Sequence, residues 1–302
     1  MIEEQYQKQV GLLLQTLPVL NEFRDLALHG GTAINLFETN MPRLSIDIDL
    51  TWLRPFSRDA DLSRIRDTLQ EVRKIIIERI PEIKVAHTEN TPYKLLCNRA
   101  GVNVKIEVNT TNRGALFPTR TMLLSEKAQE DFDVFTEIQV VSYGQLYGGK
   151  VVAALDRQHP RDLFDIDQFM KSKKVTEEIK KGIVFFLLCS GRPVNELLKP
   201  QWLDQSGVLE NQFAGMTRVP FHYEDFTSAR KKLLELVSEA LDQQARVFIL
   251  NFHKGQLDEN FLKVNNYPAI KWKLKNLENL KAGNPEKYKR LLAEVEKVLA
   301  ET

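Results

Sequence analysis

Two aspartates one residue apart, Asp47 and Asp49, lie in the stretch RLSIDIDLTW, where alternation from Leu44 predicts a buried strand over residues 44–53. Residues i and i+2 of a strand point to the same face of the sheet, so the two carboxylates project together and repel each other. A hard divalent cation such as Mg²⁺ relieves this repulsion, because it prefers carboxylate and phosphate oxygens as ligands. The pair therefore indicates a metal site, although a D-x-D pair also occurs where one aspartate faces solvent at a strand end.

A glycine pair, Gly30-Gly31, precedes the helix-like stretch AINLF. Backbone N–H groups without a neighbouring Cβ can bind phosphate oxygens at the start of a helix, and Thr32 can add a hydroxyl donor or cap the helix. Most glycine pairs are only turns. Here, however, the pair precedes the D-x-D strand by about fifteen residues, and this order favours a combined phosphate and metal site.

Three segments together resemble the AbiEii/AbiGii family of nucleotidyltransferase toxins, which includes the mycobacterial MenT type and belongs to the polymerase-β-type superfamily. They are LHGGTAINLF…RLSIDIDL, KVVAALDRQHPRDLFDI and FFLLCSGRPVNELLKP, within residues 25–200. The resemblance implies an α+β fold, with a mixed-sheet nucleotidyltransferase core followed by a C-terminal helical bundle domain. It also implies a nucleoside triphosphate (NTP) substrate and Mg²⁺, or Mn²⁺, as the cofactor.

Carried over residue by residue, the resemblance implies a phosphate-binding turn at Gly30, Gly31 and Thr32. It implies a nucleotide- and metal-binding strand at Ser45, Asp47 and Asp49. Glu107, on the polar face of the alternating strand VNVKIEVN, takes the place of the third metal-binding carboxylate. The alternative is that Glu107 is a surface residue paired with Lys105.

A second charged group follows in KVVAALDRQHPRDLFD. Helical spacing places Lys150 and Arg157 along one stripe. Pro160 predicts the start of the next helix, which carries Asp162 and Asp165 on one face. By resemblance, Lys150 contacts the nucleotide phosphates and the two acids assist the reaction; Arg157 or Arg161 could also clamp phosphates. The alternative is an interhelix salt-bridge cluster, and the sequence does not separate the roles of Asp162 and Asp165.

The helical pattern that starts near Ser142 predicts a nucleotidyltransferase α/β domain over residues 1–145 and a mostly helical domain over 146–302. No apolar run reaches the roughly 20 residues that span a bilayer. The chain begins with acids, unlike a secretory signal, and has only two cysteines, so a cytoplasmic location without membrane association is expected.

The net charge is +1, the second half of the chain is mildly basic, and this bias is concentrated in residues 271–290, with seven Lys and Arg against two Glu. Trp272 and Tyr288 lie within this segment and could stack on the bases of single-stranded or transfer RNA. The alternative is the solvated face of a terminal helix pair.

The resemblance implies an Mg²⁺-dependent toxin that transfers a nucleotide from an NTP to RNA, with the 3′ end of tRNA as the leading acceptor. A role in phage defence and a cognate antitoxin follow from the resemblance. Three alternatives remain: the same chemistry on a protein hydroxyl, the same chemistry on a small molecule such as an antibiotic, and a non-catalytic binding protein.

Overall fold

The computed structural model describes residues 3–172 and 174–302. The chain divides into two compact units, Met1–Ser142 with Glu210–Phe221 and Tyr143–Leu209 with His222–Thr302. The chain passes from the first unit to the second after Ser142, three residues before the expected boundary at 145. Residues Glu210–Phe221 belong to the first unit again, which is not apparent from the sequence. The assignment of the domains to 1–145 and 146–302 stays a prediction.

The first unit combines a sheet with helices. Its strands are β1 (Leu26–His29), β2 (Asp47–Trp52), β3 (Lys84–Ala86), β4 (Lys94–Arg99), β5 (Val102–Asn109), β6 (Arg120–Leu123) and β7 (Glu137–Val140). Its helices are α1 (Glu4–Asn21), the short α2 (Gly30–Thr32) continued by a π-helical segment (Ala33–Glu38), α3 (Arg58–Arg79) and α4 (Glu126–Phe132). The predicted α+β class with a mixed sheet is confirmed.

The seven strands form one sheet in the order β3-β4-β5-β2-β1-β7-β6. Strand β2 is the central strand, parallel to β5 and antiparallel to β1. Apolar residues of β2 and β5 alternate with polar ones, and Ile48, Leu50, Ile106 and Val108 are buried. The opposite face of the same strands carries the charged residues, so the two predicted carboxylate positions share one face.

Strand β2 begins at Asp47 and not, as the alternation from Leu44 predicted, three residues earlier. Arg43 forms an isolated antiparallel bridge with Thr217, and the Leu44 N–H donates to Met216 O. The backbone of residues 43–44 is thus hydrogen-bonded to the segment Glu210–Phe221. As a result, the aspartates lie at the start of strand β2. Local pattern could not reveal this pairing, because its partner is far along the chain.

The second unit is helical, as predicted. Its helices are α5 (Tyr143–Arg157), α6 (Pro160–Ser172), α7 (Glu177–Cys189), α8 (Val194–Leu198), α9 (Ser206–Val208), α10 (Tyr223–Ala240), α11 (Gln243–His253), α12 (Pro268–Gly283) and α13 (Pro285–Glu301). A π-helical segment, Leu209–Phe213, follows α9 at the point where the chain returns to the first unit. Pro160 begins α6, where its missing N–H has no helical partner to lose. The Thr176 side chain caps α7 by accepting from the Ile179 N–H.

Helices α5 and α7 pack backbone against backbone at three glycines. A Cβ on Gly148 would lie 2.3 Å from the Gly182 carbonyl carbon, and a Cβ on Gly182 would lie 1.9 Å from Gly144 O. Any side chain at these positions would force the helices apart. This contact fixes the position of α5, the helix that carries Lys150.

Across the part of the chain that the structure describes, no helix combines the length and apolar character needed to cross a bilayer.

Candidate active site

The charged face of the first unit is organised by strand register. Asp49 lies opposite Glu107 on the parallel strand β5 and opposite His29 on the antiparallel strand β1. Asp47 lies opposite Lys105 on β5. Residues directly opposite each other share a face, so the predicted metal-binding aspartates, Glu107 and Lys105 lie together on one surface of the sheet. Both aspartates are half-buried.

The glycine turn lies directly against this face. Gly30 has φ +72°, in the left-handed region that favours glycine, and a Cβ on it would lie 2.6 Å from Asp49 Oδ2. A Cβ on Gly31 would lie 2.8 Å from Arg43 Nη2 and 3.0 Å from Ser45 Oγ. Glycine is therefore required at residue 30 by both conformation and contact, whereas a Cβ on Gly31 would press against the side chains of Arg43 and Ser45.

The Thr32 hydroxyl links the turn to β2. Thr32 Oγ1 donates to Asp47 O at 2.5 Å and lies 3.0 Å from Ser45 Oγ. Thr32 therefore does not cap its helix, which was one of the two roles the sequence suggested. Its hydrogen bond fixes the backbone from which the Asp47 carboxylate projects.

Arg43 is a candidate site residue that the sequence patterns did not single out. Its side chain is buried, with 2% of the residue exposed, and its guanidinium lies over Gly31 and beside Ser45. Nη1 donates to Leu44 O at 2.9 Å. Arginine is permanently charged, so Arg43 brings a positive charge to the glycine turn that was predicted to bind phosphate. In the sequence, the one feature that could have identified Arg43 as a site residue was its position at the start of the segment RLSIDIDL.

Glu107 is held by two lysines. Lys94 Nζ lies 2.9 Å from its Oε1 and Lys105 Nζ lies 3.0 Å from its Oε2. Burial raises the pKa of Glu107, but the two lysines outweigh it and hold the pKa below its ordinary value. The structure thus contains the Lys105 pairing expected for the alternative role, with Lys94 as an additional partner. The metal-binding role of Glu107 stays a prediction.

The donor atoms of the aspartate pair suit a hard cation. Carboxylate oxygens are the ligands that Mg²⁺ prefers, and the bare Cα of Gly30 leaves room beside Asp49 Oδ2 that a Cβ would fill. No group of three or more His, Cys, Asp or Glu side chains suited to a metal occurs among residues 3–172 and 174–302. A cation held here would complete its coordination with water and substrate phosphates, as Mg²⁺ commonly does.

In the second unit, Lys150 is the centre of a buried ion cluster. Its Nζ lies 2.8 Å from Asp162 Oδ1 and 2.9 Å from Asp165 Oδ2, and its side chain is 5% exposed. Arg157 Nε donates to Asp162 Oδ2 at 2.5 Å. The structure therefore brings together four of the predicted residues and distinguishes the two acids: Asp162 binds both Lys150 and Arg157, whereas Asp165 binds Lys150 through its Oδ2.

Electrostatics in this cluster keep Asp162 ionised. Burial alone raises the pKa of its carboxyl group, but Lys150 and Arg157 outweigh burial and hold the pKa well below the ordinary value. Arg161, the remaining predicted phosphate clamp, is half-buried on α6, and its backbone N–H donates to His159 Nδ1 at 3.1 Å. The interhelix salt-bridge cluster expected as the alternative is thus present, and contact of Lys150, Arg157 or Arg161 with nucleotide stays a prediction.

The basic segment 271–290 covers parts of α12 and α13, the terminal helix pair. Trp272 is 56% exposed on α12. Tyr288 is buried, and its hydroxyl donates to His253 O at 2.8 Å. The expectation that both rings could stack on bases is therefore wrong for Tyr288, because packing against α11 covers it.

Comparisons with known proteins agree with this architecture. The family model described as nucleotidyl transferase AbiEii toxin, type IV toxin–antitoxin system, matches residues 12–276. Among solved structures, MenT4, a nucleotidyltransferase toxin from Mycobacterium tuberculosis H37Rv, matches with a TM-score of 0.62 at 15% sequence identity, covering 91% of this chain and 95% of that chain. At this identity, the likeness establishes the fold. No curated protein sequence matches significantly. The family match covers most of the chain, and the protein therefore belongs to the AbiEii nucleotidyltransferase toxins of type IV toxin–antitoxin systems.

Proposed function

We propose that this nucleotidyltransferase transfers a nucleoside monophosphate from an NTP to an RNA acceptor, with the 3′ end of tRNA as the leading candidate, in an Mg²⁺-dependent reaction. The observation that carries the proposal is the fit of the glycine turn to the aspartate strand, with Gly30 against Asp49. This fit brings the turn that we propose to bind phosphate against one of the two carboxylates that we propose to bind metal. Family membership already implies an NTP substrate and an antitoxin.

Asp47 and Asp49 are the proposed metal-binding residues. A cation bound there would neutralise charge on the triphosphate and lower the pKa of the acceptor hydroxyl. The residues of the chain supply positioning: the Thr32 hydroxyl fixes the backbone at Asp47, and the Gly30 contact fixes the Asp49 carboxylate. Catalysis of phosphoryl-type transfer depends mainly on such positioning and on electrostatic stabilisation.

The triphosphate would be held by the Gly31 and Thr32 backbone N–H groups and by Ser45. Arg43 supports this assignment, since its buried guanidinium lies beside Gly31 and Ser45 and adds positive charge where phosphates would bind. Lys150 is proposed as a further phosphate contact, on the strength of the family resemblance. In that role, Asp162 and Asp165 would orient its ammonium group.

The acceptor is tested by incubating the protein with each α-labelled NTP, Mg²⁺ and total tRNA. We expect label on tRNA with the wild type and a loss of about a thousandfold or more with Asp47→Asn or Asp49→Asn, since each removes a charged metal ligand. Asp67→Asn, which changes an exposed carboxylate in the same unit, is the matched control and should transfer normally.

Two results would contradict parts of this proposal separately. Label on protein or on a small acceptor, with none on tRNA, would exclude the RNA acceptor but keep the active site. Equal transfer by the wild type and Asp47→Asn would exclude the active site itself. Growth after induction gives an independent readout, because Asp47→Asn should abolish toxicity.

A further inference from the structure

A row of charged residues crosses the sheet at the candidate metal site. Lys94 on β4 lies opposite Glu107 on β5, and Glu107 lies opposite Asp49 on β2. One step along, Lys105 on β5 lies opposite Asp47. On the β5 side of the aspartate pair, the register therefore places two lysines and one glutamate.

Glu107 is committed to the two lysines. Each of its carboxylate oxygens has its own ammonium partner, Lys94 at Oε1 and Lys105 at Oε2, at 2.9 and 3.0 Å. A carboxylate that binds two cations in this way has little negative charge left to offer a metal. Its contacts are those expected of a residue that holds Lys105 in place.

Lys105 also acts on the aspartates. Strand register places Lys105 directly opposite Asp47, and Asp49 follows two residues further along the same face of β2. Both aspartates thus interact electrostatically with an ammonium group that Glu107 fixes on the neighbouring strand. Lys105 supplies the cation that two neighbouring carboxylates on one strand face require.

We propose that Lys105 is a built-in cation of the metal site, so that Asp47 and Asp49 bind a single divalent cation and Glu107 is a positioning residue for Lys105. This inference rests on the proposed metal-binding role of the aspartate pair. The charges of the five residues in the row and beside it sum to −1, which one divalent cation reverses to +1. A second divalent cation would add a further double positive charge beside Lys105, and like charges repel strongly at such separations.

The inference is tested by titrating the full-length protein with MnCl₂ and measuring free Mn²⁺ by electron paramagnetic resonance. The wild type should bind one Mn²⁺, and Asp49→Asn should lose it. Lys105→Met should bind Mn²⁺ about tenfold more tightly, because a neighbouring positive charge has been removed. Lys84→Met, which removes an exposed lysine from β3 of the same sheet, is the matched control and should bind like the wild type.

Glu107→Gln separates positioning from metal binding. If Glu107 positions Lys105, the variant keeps its Mn²⁺ with weakened affinity, and Lys105→Met combined with Glu107→Gln returns the affinity towards that of the wild type, since one charge of each sign is lost. Thermal melting followed by circular dichroism confirms that each variant is folded.

Three results would overturn the inference. Unchanged affinity and stoichiometry in Lys105→Met, with binding lost in Asp49→Asn, would exclude Lys105 while leaving the proposed function intact. Loss of Mn²⁺ in Glu107→Gln as complete as in Asp49→Asn would make Glu107 a metal ligand. Equal binding by the wild type and Asp49→Asn would remove the metal site from the aspartate pair, and with it both proposals.

Discussion

The Cα of Gly30 lies against the carboxylate of Asp49, so close that a Cβ on residue 30 would come 2.6 Å from Asp49 Oδ2. The same residue has φ +72°, which L side chains rarely adopt. Conformation and contact thus both require glycine. The turn that would bind phosphate and the strand that would bind metal are fitted to each other at this point.

Gly30→Ala is expected to abolish most activity. The added methyl group must displace the Asp49 carboxylate, and a misplacement of about 1 Å in a positioning residue costs about a hundredfold in rate. Gly101→Ala is the control, because Gly101 has φ +81° but an added Cβ would meet no atom within 4 Å. Both variants should lose about 1 kcal/mol of stability from the left-handed backbone. Full activity in Gly30→Ala would contradict the close fit of turn and strand.

Gly148→Ala is expected to destabilise the second unit. Alanine is the better helix former by about 1 kcal/mol, yet its Cβ would lie 2.3 Å from the Gly182 backbone, and overpacking of this kind costs about 3 kcal/mol. Urea unfolding followed by circular dichroism measures the change. Gly283→Ala, at the end of α12 with nothing within 4 Å, should leave stability unchanged or slightly raised. Equal stability of the two variants would mean that α5 and α7 do not touch at Gly148.

Asp162→Asn is expected to destabilise the protein at neutral pH and much less in acid. The folded pKa of Asp162 lies below its ordinary value of 3.8, so its ionised form stabilises the folded state above that value. The contribution is lost as the pH falls through the folded pKa. Removing the charge of one partner from this buried cluster should lower the free energy of unfolding by about 3 kcal/mol near neutral pH.

The measurement for Asp162 is the urea midpoint of the wild type and the variant across the acid range. Their difference should shrink below about pH 4, where the unfolded carboxyl group binds its proton. Asp156→Asn is the control, since Asp156 forms an exposed ion pair with Arg192 at 2.9 Å. Such pairs contribute about 1 kcal/mol or less. A pH-independent difference for Asp162→Asn would show that its charge is not what stabilises the cluster.

Trp272→Ala is expected to weaken RNA binding without changing the chemistry. Its ring is 56% exposed on α12, and stacking of one base on such a ring contributes about 1–3 kcal/mol. The KM for tRNA should rise about tenfold while kcat and Mn²⁺ binding stay the same. Lys231→Gln, an exposed change on α10, is the control. An unchanged KM for tRNA would leave this helix pair as an ordinary solvated face.

The sequence alone determined the local parts of the site. Alternation in VNVKIEVN predicted the observed bounds of β5 and the polar face with Lys105 and Glu107, because the two-residue period is a property of the extended backbone. Proline at residue 160 predicted the start of α6 for an equally local reason. The fold class was implied by the family resemblance, which rests on local segments of the same kind. Strands β6 and β7 and helix α4, by contrast, were not identified, since each is only four to seven residues long.

Only the tertiary structure decided which residues face each other. Glu107 and Asp49 meet through the register of two strands that are distant in sequence, and no periodicity within either strand contains that register. Local pattern likewise does not contain three other contacts: Lys94 with Glu107, Met216 with Leu44, and Gly182 with Gly148. The sequence alone predicted two like charges, Asp47 and Asp49, on one strand face. The strand register placed Lys105 beside them, because the pairing of strands is fixed by the burial of their opposite, apolar face.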